Sequence, residues 1–547
     1  MTKTRQLRSE VMRFRSGLDG SEQAAGLCGP SATASELLPL LVELEPGSIF
    51  DLERTLEDGR RYLTMIDEPA VWLRPGGRGP GTVFQGYGEV DVLEAIEAAK
   101  DRYPIDQDRV SLFGFSMGGA GVWYLGSHLA DRFSAIAPLG GYNDFRLWRR
   151  PGGMTFPLQP WEVPSWESRS AAFHFENLRH VGVWMVHGGW DRAVGGGVDV
   201  EHSRRAATAL ERLGIPYKYT ELRDIGHDFR FMSEALFADV LKWLVTQQRP
   251  AEPAVVSLST GELRHARAYW LQVEQQDHYG TVSTVMAECP GEPMVLRTEN
   301  VRRLRLTPPQ RPHHQRELLV DGTSLVVSPD ERDLVLFRDD GGGWAFAVDT
   351  PRAEKRPHLS GPFGDLFYAK TQLVTGTAGG VEESFFNNWC ARDAASFFKQ
   401  WNGGVHRGGI PGENWVDLEV ITDVEWLSQS GSASETGRNV VAYGTPRTNK
   451  LLAEVAEETA VWAEPGMVRI GERDIRGEGL GLIAVVPFPS GVPGYLAVHS
   501  GTSPDASTAG AHLNWQLLPD YLVYDCERVR EWGFFDNRWG AIPAGEG

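Results

Sequence analysis

Little in this chain of 547 residues offers a disulfide framework, a metal cluster or a membrane span. The four cysteines, Cys28, Cys289, Cys390 and Cys526, are scattered without a C-x-x-C pair. That spacing fits reduced, mostly buried thiols better than a disulfide frame or a zinc site. No stretch approaches the roughly eighteen uninterrupted apolar residues of a membrane-spanning helix. The N-terminus, Met1-Thr-Lys-Thr-Arg-Gln-Leu-Arg-Ser-Glu10, carries charges with no apolar run behind them. A soluble, cytoplasmic protein is expected. Positive charge is also in short supply, with Lys+Arg 54 against Asp+Glu 73 and a net charge of −19. Nucleic acid and anionic membrane both require basic surface and are not expected as partners, which leaves neutral or cationic substrates.

The chain is too long for one core and reads as three regions. Up to about residue 250, short apolar runs alternate with helical ones. Candidate strands are Leu40–Leu44, Ala70–Leu73, Val110–Phe115, Ala135–Leu139, Val181–Val186 and Tyr217–Leu222, and an amphipathic helix over 231–244 closes the region. After a Pro-rich linker, residues 251–355 show short β-like runs broken by Gly and Pro, as in a β-sandwich. From 356 to 547 a small open α/β pattern returns. Its strands end in glycine at Gly376, Gly444 and Gly501, and Asn449–Ala456 reads as a helix. No G-x-G-x-x-G or Walker sequence follows those glycines, so a structural or interaction role is expected there rather than nucleotide binding. Ser428–Ser434 reads as a loop, Glu382-Glu383 as a solvated helix start, and Trp389 and Trp401 as core or domain interface.

One motif stands out. Gly114-Phe-Ser116-Met-Gly118 follows the apolar run Val110–Phe115 and opens the helix-like stretch 118–129. Chance alone supplies roughly 0.4 copies of G-x-S-x-G in a chain this rich in glycine, so context must carry the reading. Upstream, Val92, Leu93, Ala95, Ile96 and Ala99 share one helical face, and Ile105–Arg109 turns that helix into the serine's strand. Helix, loop, strand, elbow and helix follow in the order a doubly wound parallel sheet requires. The motif therefore predicts a nucleophile elbow at Ser116.

A serine elbow needs a base and a carboxylate to orient that base, and with this elbow they follow in the order Ser, Asp or Glu, His. Asp191, on the loop after the Val181–Val186 strand, is the candidate carboxylate; helix capping is its alternative role, although Asp199 or Glu201 can supply that. His227, on the loop after Tyr217–Leu222, is the candidate base. His187 is read as shaping its loop, and His128, His174, His180 and His202 fall on helices or their ends. Asp224 and Asp228 lie too close in sequence to reach around the imidazole. The backbone N–H of Met117 is one expected oxyanion donor. The second is placed near Gly47, after Leu40–Leu44, with Glu45 an odd neighbour for developing negative charge.

The run Ile105-Asp-Gln-Asp-Arg-Val-Ser-Leu-Phe-Gly-Phe-Ser-Met-Gly-Gly119, with His187-Gly-Gly-Trp-Asp191 and Gly226-His227, resembles the catalytic domain of the prolyl oligopeptidase (S9) family and its dienelactone-hydrolase-like relatives. The resemblance covers about residues 35–250. It implies an α/β-hydrolase domain over 1–250 and serine hydrolysis of peptides or esters without a cofactor or metal. The family's peptidases usually carry an N-terminal β-propeller, and none is expected ahead of this domain. The trailing regions resemble those attached to bacterial S9-like proteins.

Between about 141 and 180 an insertion rich in aromatics reads as a lid. Trp148, Phe156, Trp161 and Trp166, with Trp190, are candidates to wall an apolar or sugar-stacking pocket, and Arg149 or Arg150 to meet a substrate carboxylate; the alternative is that these aromatics pack the lid onto the body. The expected function is hydrolysis of a small or medium ester or amide. Acyl transfer or cyclisation by the same triad is one alternative, and a non-catalytic binding or assembly protein is another. Self-association through the C-terminal regions stays open.

Overall fold

Buried apolar runs of this chain pair into one large sheet around the serine motif. Its strands are β1 (Leu7–Arg15), β2 (Glu22–Pro30), β3 (Leu38–Glu43), β4 (Val71–Pro75), β5 (Ile105–Phe115), β6 (Ala135–Leu139), β7 (Gly182–Gly188) and β8 (Lys218–Leu222). Their order is β1-β2-β4-β3-β5-β6-β7-β8. In the computed structural model the described residues are 6–31, 36–45, 52–79, 82–148, 158–192, 197–228, 232–289, 293–308, 316–328, 331–403, 418–433, 439–489, 494–511 and 513–543. Strands β3 to β8 pair in parallel, while β1 and β2 add an antiparallel edge.

Every residue of β3 is buried, as expected for a parallel strand covered on both faces. The crossover helices supply the cover: α1 (Leu52–Thr64), α2 (Tyr87–Lys100), α3 (Met117–His128), the short α4 (Phe145–Trp148) and α5 (Val163–Arg169), α6 (Glu201–Arg212) and α7 (Glu234–Thr246). Val92, Ile96, Val122, Leu125 and Leu210 pack one face from α2, α3 and α6. Tyr62, Phe237, Val240 and Leu244 pack the other from α1 and α7. Two expectations need correcting. Ile105–Arg109, read as a turn, is already part of β5, and residues 7–30, read as nothing in particular, form the antiparallel edge. The small residues of Glu22-Gln-Ala-Ala-Gly-Leu-Cys-Gly-Pro30 have little intrinsic strand preference; tertiary packing fixes them, with Gly26 lying against Thr55 and Trp72.

Between 255 and 346, two five-stranded, mainly antiparallel sheets share one core built on Val273, Leu296, Leu304 and Leu336. The C-terminal part holds a second eight-stranded sheet. Glu419–Thr422, Thr371–Thr375, Asn439–Tyr443 and Tyr495–Gly501 lie side by side in parallel, followed by antiparallel Gly481–Pro487 and three further strands. The serine-rich patch read as a loop instead falls largely within a helix, Asp423–Ala433, whose start is fixed by Thr422 and Glu425 bonding across its first turn. Trp389 is 38% exposed rather than core. Among the described residues no helix is long and apolar enough to cross a membrane.

Candidate active site

The site begins with a strained residue. Ser116 ends β5 and precedes α3 with φ 58° and ψ −115°, a conformation that costs on the order of 1–3 kcal/mol in a non-glycine residue. Its N–H donates to the Leu139 carbonyl at 2.9 Å, which holds the turn onto β6. The flanking glycines are required by space. A Cβ on Gly118 would stand 1.7 Å from the Leu44 carbonyl oxygen, and one on Gly114 would stand 2.5 Å from it. A Cβ on Gly119 would stand 2.8 Å from the Gly141 Cα, also closer than real contacts allow. The motif is thus a steric consequence of bringing β3, the elbow and β6 together.

Ser116, His227 and Asp191 form one line of hydrogen bonds. His227 Nε2 lies 2.7 Å from Ser116 Oγ, and His227 Nδ1 lies 2.6 Å from Asp191 Oδ2. Phe115 stacks on the imidazole at 4.8 Å between centroids and limits its rotation. Asp191 is 1% exposed and accepts the Val198 N–H on its other oxygen at 3.0 Å. His187 Nε2 lies 3.3 Å from the same Oδ2 and shares its position with the Val198 carbonyl. Burial opposes ionisation of Asp191, but hydrogen bonds from His187 and His227 outweigh it and hold the carboxyl below its ordinary range. A carboxylate is therefore present behind the imidazole throughout the neutral range, with its remaining lone pairs occupied. His187, read from sequence as a loop-shaping residue, shapes the loop by bonding this carboxylate.

Met117 is the first residue of α3, where backbone N–H groups have no acceptor within the helix. Gly47 lies outside the described residues, as do Arg149, Arg150, Phe156 and the side chain of Trp148.

A cavity of about 800 Å³ opens onto Ser116 and His227. Its apolar wall comes from Tyr62, Phe115, Leu139, Met232 and Phe237, drawn from α1, the central strands and the start of α7. The described aromatics expected around the substrate lie elsewhere. Trp166 is buried against Phe145 in a cluster with Leu517, Trp161 packs on the C-terminal core, and Trp190 is 65% exposed. The physical reason is that the described part of the insertion after β6 turns its apolar residues toward the C-terminal region, which the sequence reading left out of account. The cavity also has a charged floor, where Glu43, Glu45 and Asp58 gather around Arg74; of these the sequence singled out Glu45 alone. A signal existed, since Glu43 and Arg74 are opposite charges placed inside two apolar runs of adjacent strands.

Comparison with known proteins agrees with this geometry over part of the chain. Residues 86–249 match the model of the prolyl oligopeptidase family. An uncharacterized secreted protein of Arthroderma benhamiae is 25% identical over 354 residues, 58% of this chain and 36% of that protein. A bifunctional acetylxylan esterase/xylanase of Neocallimastix patriciarum is 40% identical over 72 residues, 13% of this chain and 11% of that protein. The chain thus spans about a third of one of these relatives and a tenth of the other. Among solved structures, a ferulic acid esterase superposes over 44% of this chain and 99% of its own, with a TM-score of 0.34 and 18% identity. Over residues 86–249 the chain is thus similar to the prolyl oligopeptidase (S9) family, within a mainly parallel sheet whose elbow, Asp191 and His227 follow one another in the α/β-hydrolase order.

Proposed function

We propose that the protein cleaves a small or medium ester or amide through an acyl-enzyme on Ser116. His227 takes the Ser116 proton as Oγ attacks the carbonyl carbon, then returns it to the leaving group. Asp191 holds the imidazole with Nδ1 protonated and stabilises the imidazolium that forms. The developing oxyanion is received by the Met117 N–H, with the Gly47 N–H as the proposed second donor. Water, activated by the same histidine, then releases the acyl group.

The observation that carries this reading is the continuous Ser116–His227–Asp191 line, 2.7 and 2.6 Å long, at a strained elbow facing a cavity. A panel of p-nitrophenyl esters and aminoacyl-p-nitroanilides tests it, with fluorophosphonate labelling of Ser116 alongside. Labelling and turnover of esters above amides are expected. A predominance of amide turnover would reverse the ester preference, and failure to label would favour a non-catalytic role. Transfer or cyclisation stays a second reading, recognised by products that carry an acceptor other than water. We place the enzyme in the cytoplasm, a reading supported by the reduced, buried thiols of Cys28 and Cys390.

A further inference from the structure

Strand β3 ends at Glu43, a second glutamate, Glu45, follows after Leu44, and both reach the same guanidinium. Glu43 is 6% exposed and Arg74, on the neighbouring β4, is 1% exposed. One oxygen of Glu43 accepts from Arg74 Nε at 3.0 Å, from Arg74 Nη2 at 2.7 Å and from the Trp72 indole N–H at 2.9 Å. The same Nη2 lies 3.3 Å from Glu45 and 3.2 Å from Asp58 of α1. A buried ion pair needs one carboxylate, and crowding three around one cation adds repulsion that apolar packing would avoid. Stability alone does not account for the arrangement.

Its location does. Glu43, Glu45 and Asp58 line the same cavity as Ser116 and His227. The peptide between the two glutamates is the one whose carbonyl, on Leu44, presses on Gly114 and Gly118. Leu44 is pinned on its other side by its N–H to the Phe113 carbonyl at 2.8 Å. Movement of this strand end passes directly to the elbow and to the first turn of α3, where the Met117 N–H sits.

We propose that Arg74 is a positioning residue for the hydrolysis: by gripping Glu43 and Glu45 on either side of Leu44, it fixes the strand end against which the nucleophile elbow closes. This rests on the hydrolytic reading of Ser116. A lysine cannot reproduce the grip, because one ammonium lacks the edge of guanidinium N–H groups that meets Glu43 and Glu45 together. The grip also depends on charge. Burial pushes the Glu43 carboxyl up to about 7, with Arg74 opposing the rise and Glu45 and Asp58 adding to it. Tyr62 and Arg54 of α1 also face this floor, and His227, Asp228 and Glu234 stand across the cavity. Proton uptake by Glu43 near neutrality leaves Glu45 and Asp58 as the carboxylates that hold Arg74.

The test uses the full chain and three variants, Arg74→Lys, Glu43→Gln and Arg109→Gln. Arg109 pairs with Glu68 at 2.8 Å outside the cavity and reports simple loss of an ion pair in the same sheet. Turnover of p-nitrophenyl butyrate is followed from pH 5.5 to 9, with fluorophosphonate labelling rates and thermal melting. Arg74→Lys is expected to lower kcat ten- to a hundredfold with KM changed less than threefold. Glu43→Gln, which keeps shape and removes the titration, is expected to lower kcat at pH 8.5 about tenfold and to flatten the acid limb of the pH profile near neutrality. Arg109→Gln is expected to lower melting temperature and leave kcat intact. The proposal is overturned if Arg74→Lys and Glu43→Gln keep kcat within twofold and the acid limb is unchanged, or if Arg109→Gln loses as much kcat at a similar fall in melting temperature. Wild-type protein that neither labels nor turns over ester overturns the hydrolytic reading itself, whereas active wild type with unimpaired variants overturns only the role of Arg74.

Discussion

Two eight-stranded sheets in this molecule share a plan and differ at one edge. Each has parallel strands alternating with helices and an antiparallel flank. Ligands of such sheets bind at the carboxyl ends of the strands. In the N-terminal sheet that edge carries Ser116, Asp191 and His227, bonded to one another and open to a cavity. In the C-terminal sheet the corresponding edge is filled by the chain's own side chains. Asp423, fully buried, accepts the N–H and hydroxyl of Thr377 and the N–H of Lys450. Asn449 bonds the carbonyls of Val374 and Tyr443 while capping the helix Lys450–Thr459. Gly376 has no room for a Cβ, which would stand 2.2 Å from the Thr448 carbonyl oxygen. The donors that could have received an anion already have one in Asp423. Architecture alone therefore says little about activity; the side chains placed at the strand ends decide it.

Four experiments bear on that contrast. Removing the nucleophile with Ser116→Ala has the largest expected effect, a loss of kcat on the order of 10⁴-fold or more with unchanged far-ultraviolet circular dichroism. Comparable residual turnover would show that the N-terminal edge is not the catalytic one. Asp191→Asn is expected to cost about 10³- to 10⁴-fold in kcat, because the imidazole loses the partner that sets its tautomer; steady-state kinetics at pH 8 measures it. At the other edge, Asp423→Ala leaves buried donors unsatisfied and should cost about 1–3 kcal/mol in urea unfolding. Its ester turnover should match wild type, and a drop in kcat at full folding would mean that the two sheets are coupled.

The fourth experiment concerns stability against pH. Glu43 titrates near 7 in the folded protein against an ordinary value of 4.5, so between these values the folded state holds a proton that the unfolded chain releases. Its contribution to stability is therefore greatest at the acid end of the window and declines as pH rises toward 7. Glu43→Gln should flatten that slope in unfolding midpoints measured from pH 5 to 8. An unchanged slope would show that Glu43 does not titrate there.

Much of the first sheet was legible because its strands are short apolar runs separated by amphipathic helices, a pattern local enough to read. Ser116 was legible for the same reason, since G-x-S-x-G is a local steric requirement. The antiparallel edge β1–β2 was not, because Gly26 and Gly29 of β2 are chosen for what they pack against, Trp72 and Tyr103, rather than for strand preference. Nor was the cavity wall. Trp161 and Trp166 look like pocket residues in sequence, and only their contacts with the C-terminal region show where they go. Phe115 was visible as part of the motif, yet its stacking on His227 depends on a loop 112 positions away (227 − 115).

The sequence by itself determined the elbow, the order of strands and helices around it, and the identities of Ser116, Asp191 and His227 as candidates. Each of these follows from spacing over a few residues or from the order of local elements. Tertiary structure alone decided the distances among the three, the support of Asp191 by His187, the walls of the cavity, and the convergence of Glu43, Glu45 and Asp58 on Arg74. Those depend on which parts of the chain meet when parallel strands far apart in sequence become neighbours, and local spacing does not encode that.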